Sequence, residues 1–569
     1  MKKCFLVVFL FVAWMGVNTA SAWAQEEDIK RVSISTDGTE ANGTSWTSEV
    51  SEDGRLVAFT SEASTLVPTD NPGADAFVRD RLTGETRLVD IHDADQPWTG
   101  QVAISANGQF IVTQNGKDNN APSGFGTRYS WRNLGTNEVG TIWTSHSGGV
   151  GTGINSDGRF ITFGTAVQFV PDINVNSWFW KQELYRWDRE TGQIARVSVA
   201  DSTVSTSLAT QQGGPEGVTY GGRMDLSNGS NSLGHGPGIS DDGRLVPFNS
   251  SATNLVPGDT NGIADAFVRD MVDGTTTRVS VGSDGTQGNG FVYDLAISGN
   301  GRFVIFKSEA TNLVPGDTNG GTDVFVHNLL THTTIRVSLA SDGSQANAGS
   351  FFGGGVSISR DGRFVAFSSV ASNLAAGDTN STEDVFVRDL LTGRTARVSV
   401  AADGTEGNNW SSGGSVMITA DGRFVTFVSA ASNLVPGDTN GVRDIFVASN
   451  PLWFLPVPID IKPGSFPNSI NLGSGGTVPV AIFSTATFDA TRVDPTTVTL
   501  ANAGLQFRGN GTPMASFQDV NGDGRLDLVI HVSTEALQLT AGDVEAVLEG
   551  RTTSGLRIRG SDSVRVVQG

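Results

Sequence analysis

The chain has 569 residues, and its formal net charge of −21 argues against a basic face that binds nucleic acid or an anionic membrane. Cys4 is the only cysteine, so the rest of the chain has neither disulfide bonds nor cysteine-ligated zinc. The 71 glycines, with only 17% charged residues, indicate many tight turns between short strands.

The first 24 residues have the pattern of an export signal. Lys2 and Lys3 precede an apolar run too short to span a bilayer, and Ala22-Trp23-Ala24 places small residues at both recognition positions of a signal peptidase. We expect cleavage after Ala24, with Ala22 as the alternative, and a mature protein in the periplasm or outside the cell. No other stretch is apolar enough to cross a membrane, so we expect no membrane insertion.

Two short phrases recur along the residues that follow: DGRFVAF, and an acidic DTNG loop followed by a strand of the DVFVRD type. The strands are apolar at consecutive positions, which indicates burial on both faces. No segment has a sustained helical period, so the sequence predicts an all-β protein. The first phrase is DGRFVAF or a close variant, and its glycine recurs seven times: Gly54, Gly108, Gly158, Gly243, Gly301, Gly362 and Gly422.

The two ends of the repeat region complement each other. The last unit lacks the RVSV strand that ends earlier units, while KRVSISTDGTEANG from Lys30 matches TRVSVGSDGTQGNG from Thr277. A strand near the N-terminus therefore completes the last unit, as in a circular propeller that leaves no open edge. With seven glycine phrases, the sequence predicts a seven-bladed β-propeller over residues 25–450, closed by its N-terminal strand.

Residues 29–450 resemble the WD-like, TolB-type propeller repeats of exported bacterial proteins, through the recurring DGRFVAF and DVFVRD phrases. The resemblance implies the propeller fold, which serves binding, scaffolding and catalysis alike. Units two and three depart from the pattern, because SWRN and LYRWDRE replace FVRD and the DTNG loop is missing.

The repeat stops after Pro451. The prolines of LWFLPVPIDIKPG preclude regular strand pairing, so residues 451–457 are predicted as a linker and residues 458–569 as a β-sandwich. The segment IDIKPGSFPNSINLGSGGTVPVAIFSTATFDATRVDP, together with DVNGDGRLDLVIHV, resembles an accessory domain found at the ends of secreted bacterial proteins. That resemblance implies an extracellular module and no particular chemistry.

The loop DVNGDGRLD is the main candidate metal site. Calcium prefers six or more oxygen ligands at about 2.4 Å, which a curled acidic loop supplies. The spacing resembles the calcium loops of dockerin and integrin-type repeats, although Ile530 stands where an EF-hand has a bidentate glutamate. A β-turn rich in Asp and Asn, without metal, is the alternative. The ligands fall at alternate positions: Asp519, Asn521, Asp523, the backbone carbonyl of Arg525, and Asp527.

The DTNG loops repeat a shorter version of this pattern in four units. Asn, Asp and Gly are also common turn residues, and Asp at the entrance of a strand often caps N–H groups of the loop. The loops are therefore connectors alone or connectors that also bind a cation. Each has two carboxylates and one amide: Asp259, Asn261 and Asp265; Asp317, Asn319 and Asp323; Asp378, Asn380 and Asp384; and Asp438, Asn440 and Asp444.

No catalytic signature accompanies the repeats. The six histidines lack metal-ligand spacing, and no G-x-S-x-G motif is present. An insertion from about residue 201 to 239 carries Tyr220, Arg223 and His235, residue types that a polysaccharide lyase uses as base and as carboxylate-neutralising group. A disordered surface insertion is the alternative.

We therefore expect an exported, non-catalytic, monomeric binding protein stabilised by calcium, whose ligand is a protein or a glycan. The alternative is a secreted carbohydrate-active enzyme of the polysaccharide lyase type that uses one axial face of the propeller.

Overall fold

The computed structural model describes residues 29–68, 73–89, 99–115, 127–144, 150–165, 183–200, 238–350 and 355–567. Residues 29–452 and 453–567 belong to two compact units. The predicted signal segment and the candidates Tyr220, Arg223 and His235 lie outside the described residues. None of the helices in the described ranges has the length and hydropathy needed to cross a membrane.

The first unit is built from small antiparallel sheets, which we name blades 1 to 7 in chain order; seven occur in its described residues. Its first strand, β1 (Ile29–Arg31), belongs to blade 7. Blade 1 contains β2 (Ser45–Val50), β3 (Leu56–Ser61), β4 (Asp75–Asp80) and β5 (Glu85–Leu88). Blade 2 contains β6 (Thr99–Ile104), β7 (Phe110–Asn115), β8 (Thr127–Asn133) and β9 (Val139–Thr144). Blade 3 contains β10 (Val150–Ile154), β11 (Phe160–Thr165), β12 (Glu183–Asp188) and β13 (Ile194–Arg196).

The later blades follow the same order. Blade 4 has three strands in the described residues: β14 (Leu245–Ser250), β15 (Asp265–Asp270) and β16 (Thr276–Arg278). Blade 5 contains β17 (Val292–Ile297), β18 (Phe303–Ser308), β19 (Asp323–Asn328) and β20 (Thr333–Arg336). Blade 6 contains β21 (Val356–Ile358), β22 (Phe364–Ser369), β23 (Asp384–Asp389) and β24 (Arg394–Arg397). Blade 7 contains β25 (Ser411–Ile418), β26 (Phe424–Ser429), β27 (Asp444–Ser449) and β1.

The N-terminal strand is the outermost strand of the last blade. Strand β1 pairs antiparallel with β27, with Ile29 opposite Ala448 and Arg31 opposite Phe446. Blades 1 and 7 also pack face to face, because Phe59 shares a buried core with Val428 of the last blade. The all-β propeller predicted from the repeated phrases is therefore the observed fold, and the strand pairing inferred from the two chain ends is present.

The glycine of each DGR phrase lies against the preceding blade. Gly243 has φ +71°, and a Cβ atom built there would lie 2.0 Å from Cδ2 of Phe160 in blade 3. The same contact joins the first and last blades, since a Cβ atom on Gly54 would lie 2.5 Å from Cδ2 of Phe424. Glycine is thus needed both for the left-handed turn and for the approach of the neighbouring aromatic ring.

The arginine of the FVRD phrase ties a blade to the connector that precedes it. In blade 6, Nη1 of Arg388 donates to the carbonyl of Leu339 at 2.8 Å and to the Thr395 hydroxyl at 2.8 Å. Blade 5 has His327 instead, and its Nδ1 lies 2.8 Å from the hydroxyl of Thr334. Burial, with a smaller contribution from His332, lowers the pKa of His327 to about 4.

We expect His327→Arg to remove part of the acid sensitivity of the protein. Because the folded-state pKa of His327 is depressed, its stabilising contribution is complete above the unfolded value of about 6.5 and is lost as the pH falls to about 4. The free energy of unfolding of the variant should therefore exceed that of the wild type increasingly over this range, by up to about 3 kcal/mol. Denaturant unfolding at a series of pH values measures the difference.

Leu391, an exposed residue of the blade 6 turn, provides the control for that experiment. Leu391→Arg adds a positive charge and removes no titratable group, so it should shift the free energy of unfolding by a similar amount at every pH. Carboxylates that titrate in the same range are common to all three proteins and cancel in the difference. If His327→Arg and the wild type lose stability in parallel between pH 6.5 and pH 4, burial of a neutral histidine does not contribute to acid sensitivity.

The second unit is a sandwich of two sheets with one shared core. One sheet contains β28 (Leu455–Pro456), β32 (Val493–Leu500), β33 (Ala503–Gly504), β36 (Glu545–Thr552) and β37 (Arg557–Ser563). The expectation that prolines preclude pairing in the segment 451–457 is wrong at Leu455–Pro456, which pair with β37 at the edge of the sheet, where a proline is tolerated. The other sheet contains β29 (Ile459–Ile461), β31 (Thr477–Ile482), β34 (Ala515–Gln518) and β35 (Asp527–Ser533). The short pair β30 (Ser469–Asn471) and β38 (Arg565–Val567) and the 3-10 helices Ala490–Arg492 and Thr534–Ala536 complete its described part. The core joins Leu500 and Leu548 of the first sheet to Val480 and Leu528 of the second.

Candidate functional site

The DTNG loops of blades 4 to 7 contact the outermost strand of the same blade. In blade 6, Nη1 of Arg397 lies 3.6 Å from Oδ1 of Asp378 and 3.2 Å from Oδ2 of Asp384. The hydroxyl of Ser399 donates to Oδ1 of Asp384 at 2.5 Å. Arg397, Asp378 and Asp384 are buried, so the loop is held to its strand by ion pairs that are protected from water.

We name this arrangement the clasp. It consists of two aspartates and an asparagine from the loop, an arginine and a serine from the RVS phrase, and a Gln or Glu nine residues after the arginine. Sequence reasoning found only the loop half. The four clasps are Asp259, Asn261, Asp265, Arg278, Ser280 and Gln287; Asp317, Asn319, Asp323, Arg336, Ser338 and Gln345; Asp378, Asn380, Asp384, Arg397, Ser399 and Glu406; and Asp438, Asn440, Asp444, Arg31, Ser33 and Glu40.

The clasp of blade 7 joins the two ends of the propeller. Nη1 of Arg31 lies 3.1 Å from Oδ1 of Asp438 and 3.5 Å from Oδ2 of Asp444. The hydroxyl of Ser33 donates to Oδ1 of Asp444 at 2.5 Å. The closing contact therefore uses the same chemistry as the contacts inside blades 4 to 6, with its two halves supplied by opposite ends of the repeat region.

The loop asparagine presents its amide nitrogen to the carboxylates. In blade 6, Nδ2 of Asn380 donates to Oδ2 of Asp384 at 3.3 Å and to the carbonyl of Gly407 at 2.9 Å. Its Oδ1 accepts the N–H of Thr382 at 2.9 Å. The amide oxygen, which the spacing suggested as a cation ligand, thus accepts a hydrogen bond within the loop, while the amide nitrogen faces the carboxylate of Asp384.

The clasps fall into two groups by charge. In blade 4, Nε2 of Gln287 donates to Asp259 at 2.9 Å and to Asp265 at 2.8 Å, so two carboxylates share an arginine and a neutral amide. Blades 6 and 7 have Glu406 and Glu40 instead, which adds a third carboxylate for one arginine.

In these two clasps, burial changes proton binding at the first aspartate of the loop. Burial, with a further contribution from Asp384, raises the pKa of Asp378 to about 6. Burial and the adjacent Asp444 likewise raise the pKa of Asp438 to about 6. In both clasps the charged state of the first aspartate is therefore disfavoured.

Blade 6 contains a possible acidic metal site. One carboxylate oxygen from each of Asp378, Asp384 and Glu406 lies within 4.8 Å of the others. Among the residues that the structure describes, this is the only set of three or more Asp, Glu, His or Cys side chains with such spacing. The guanidinium of Arg397 contacts all three, at 2.9 Å from Oε2 of Glu406.

In the second unit, the DVNGDGRLD loop is organised by its own N–H groups. The carboxylate of Asp519 accepts N–H groups of Gly522 at 2.7 Å and of Gly524 at 2.9 Å, and Asn521 Oδ1 accepts that of Asp523 at 3.0 Å. The exposed loop therefore curls around the Asp519 carboxylate, as an Asp- and Asn-rich turn does.

The later residues of the loop are also engaged. Oδ1 of Asp523 accepts the N–H of Arg525 at 2.9 Å, and this hydrogen bond is the main cause that lowers the pKa of Asp523. Asp527 is buried at the start of β35, where it accepts the N–H groups of Ser484 and Val520, both at 2.9 Å. The structure thus brings Asp519, Asn521 and Asp523 together on the exposed loop and uses Asp527 to attach the loop to the sheet.

A second repeated ion pair lies at the DGR turns. In blade 1, Nε and Nη2 of Arg55 donate to the two carboxylate oxygens of Asp80 at 3.0 and 2.7 Å. The sequence signal was present, because DGR and FVRD recur together. The same pairing occurs in three further blades: Arg159 with Asp188, Arg244 with Asp270, and Arg363 with Asp389.

Arg360 connects blades that are not neighbours. It precedes the DG turn of blade 6, and its Nε donates to Asp241 of blade 4 at 2.6 Å. Its Nη2 donates to Ser156 of blade 3 at 2.7 Å, and its Nη1 pairs with Glu52 of blade 1. Arg360 therefore lies where the DGR turns of blades 1, 3, 4 and 6 converge. Its side chain is half-exposed and links these turns in one polar network.

Comparisons with known proteins concern the fold. No family model matches the chain, and no curated protein matches it. Among solved structures, an oligogalacturonate lyase from Vibrio parahaemolyticus is 12% identical with a TM-score of 0.43, and the match covers 74% of this chain and 93% of that one. TolB from Acinetobacter baumannii is 12% identical with a TM-score of 0.33, covering 70% and 81%. The β-propeller domain of the Trilobed protease from Pyrococcus furiosus is 11% identical with a TM-score of 0.42, covering 72% and 94%.

Proposed function

We propose that this protein is an exported binding protein whose propeller presents a recognition surface and catalyses no reaction. The supporting observation is the use made of the polar side chains in its described residues. The clasps, the DGR ion pairs and the contacts of Arg360 engage them within or between blades. Groups that would otherwise be candidates for acid–base chemistry therefore stabilise the scaffold. We infer that the exposed surface of the propeller binds the ligand. The ligand we propose is a protein or a glycan.

A retention and product screen tests this proposal. Purified protein is passed over immobilised glycans, including uronate polymers, while the absorbance of unsaturated sugar products is followed. Retention without product supports a binding protein. Product formation that Tyr220→Phe abolishes would instead establish a polysaccharide lyase and overturn the proposal.

We also propose that calcium binds the DVNGDGRLD loop. Asp519 and Asp523 offer carboxylates on an exposed loop that is already curled. A second cation position is proposed at Asp378, Asp384 and Glu406, where three carboxylates share one arginine. Hard divalent cations favour such oxygen-rich groups.

Calcium should raise the melting temperature of the second unit. A ligand that binds only the folded state adds about 2.7 kcal/mol at a hundredfold excess over Kd. For a unit of this size, that corresponds to a shift of roughly 10 °C. Asp523→Ala should remove most of the shift, and magnesium should substitute poorly because its small octahedral shell suits a flexible loop badly.

Scanning calorimetry of the whole chain in calcium, in magnesium and in chelator provides the measurement. Glu545→Ala, which removes an exposed carboxylate outside the loop, should keep the full calcium shift. Identical melting curves in the three solutions would reduce DVNGDGRLD to a turn without metal.

A further inference from the structure

Three positions form a charge set at the DGR end of the blades. They are the residue before the turn glycine, the residue after that glycine, and the last residue of the third strand. In four blades the set is Asp, Arg and Asp, with the arginine paired to the second aspartate. The sets of blades 1 to 7 are Asp53, Arg55 and Asp80; Asn107, Gln109 and Asn133; Asp157, Arg159 and Asp188; Asp242, Arg244 and Asp270; Asn300, Arg302 and Asn328; Asp361, Arg363 and Asp389; and Asp421, Arg423 and Ser449.

In blades 2 and 5 both acids of the set are replaced by amides, and the two sets differ in net charge. In blade 2 the central residue is Gln109, so the whole set is neutral. Blade 5 keeps its central arginine, Arg302, between Asn300 and Asn328. Arg302 is exposed, and no carboxylate of the described residues forms an ion pair with it. The charge set of blade 2 is therefore neutral although it has no acids, whereas the charge set of blade 5 has a net charge of one positive unit.

Asn328 accepts the same hydrogen bonds from its turn as the aspartate of other blades does, but it carries no charge to pair with the arginine. Its Oδ1 accepts the N–H groups of Leu330 at 3.0 Å and Thr331 at 3.2 Å. Asp80 does the same for its own turn in blade 1, where it also pairs with Arg55. The turn of blade 5 is thus built in the usual way, while its arginine is left for another partner.

Apolar surface adjoins this arginine. The guanidinium of Arg302 lies 5.0 Å from the ring centre of Phe303, and the carbonyl of Arg302 accepts the N–H of Leu329 at 2.8 Å. The next residue, Leu330, is 72% exposed. His332, which ends the same turn with φ 56°, is exposed as well. We define the blade 5 surface as Arg302, Leu330 and His332.

We propose that the blade 5 surface docks an acidic segment of a protein partner, a step that rests on the proposed binding function. An unpaired guanidinium recognises a carboxylate through charge-assisted hydrogen bonds, and the exposed leucine favours a polypeptide with apolar side chains over a polysaccharide. The net charge of −21 opposes contact with an acidic partner over the surface as a whole. A local positive group therefore determines where such a partner binds.

Two substitutions with precedents in this chain test the proposal. Asn328→Asp recreates the Asp–Arg pair of blades 1, 3, 4 and 6, and Arg302→Gln copies the neutral set of blade 2. Both remove the unpaired positive charge in arrangements that the fold already accommodates. Arg394→Gln, at an exposed arginine of blade 6, is the control with the same change of net charge as Arg302→Gln.

The probe is a short labelled peptide of glutamate and leucine, measured by fluorescence anisotropy with the full chain. We expect both blade 5 substitutions to weaken binding by about tenfold, and added salt to weaken binding to the wild type more than to either variant. Arg394→Gln should leave the affinity within about twofold of the wild type.

Three results would overturn the docking surface. They are an absence of peptide binding to the wild type, unchanged affinity in both variants, and an equal loss in Arg394→Gln, which would show general charge attraction. Oligogalacturonate that binds with the same dependence on Arg302 would replace the protein partner by a saccharide and also overturn the proposal. If the glycan screen or another partner still reveals binding without catalysis, the proposed function stands while the blade 5 surface is abandoned.

Discussion

A chain lacking residues 27–35 is expected to lose a large part of its folding stability and to aggregate. The deletion removes β1, whose pairing with β27 completes blade 7, and leaves the edge of β27 open to other chains. It also removes Arg31 and leaves Asp438 and Asp444 buried without their counter-charge. Loss of one partner from a buried ion pair alone costs about 3–5 kcal/mol.

Thermal melts and size-exclusion chromatography measure both effects. Arg397→Met is the matched control, because it breaks the equivalent ion pairs of blade 6 and leaves every strand in place. It should lower the melting temperature less than the deletion does and should leave the protein free of aggregates. A truncated chain that melts like the intact one would show that the pairing of the two ends does not stabilise the propeller.

Gly243→Ala is expected to destabilise the propeller by about 3 kcal/mol or more. Part of this comes from the backbone, since a φ of +71° costs an L-residue about 1–2 kcal/mol. The remainder comes from Phe160, whose ring lies 2.0 Å from the position of the new Cβ atom. That ring also packs under the guanidinium of Arg186 at 4.3 Å, and Arg186 donates to the carbonyl of Gly243, so displacement of the ring disturbs the contact between blades 3 and 4.

Two other glycines separate the backbone effect from the packing effect. Gly404 has φ +85° with nothing within 4 Å of a Cβ atom, so Gly404→Ala should cause only the backbone loss. Gly108→Ala should be intermediate, because its neighbour is Leu56 at 3.2 Å instead of an aromatic ring. Chemical denaturation of the three variants gives the comparison. Equal losses at all three positions would show that the neighbouring ring adds nothing to the requirement for glycine.

The candidate site illustrates how much of a repeat can be read before its structure is known. The aspartates of the DTNG loops were identifiable because their spacing is local, and Asp378 and Asp384 do lie together. The arginine of the same clasp and the Gln or Glu nine residues after it also recur at constant offsets, in the RVS phrase and in the phrases TQGN, SQAN, TEGN and TEAN. Their relevance was missed because a hairpin separates Arg397 from the loop, and spacing along the chain does not reveal which strand edge faces it.

By itself, the sequence determined that this protein is all-β, that its units repeat, and that a strand near the N-terminus completes the last unit. Those properties depend on consecutive apolar residues, turn glycines and matching phrases, which are short-range features of the chain. Only the tertiary structure decided that the acidic loops form ion pairs with arginines and that Arg360 spans blades 1, 3, 4 and 6. Arg360 occupies a position that varies among the units, so no phrase marks it. Its role follows from the convergence of the DGR turns, which come close to one another only after the blades have packed.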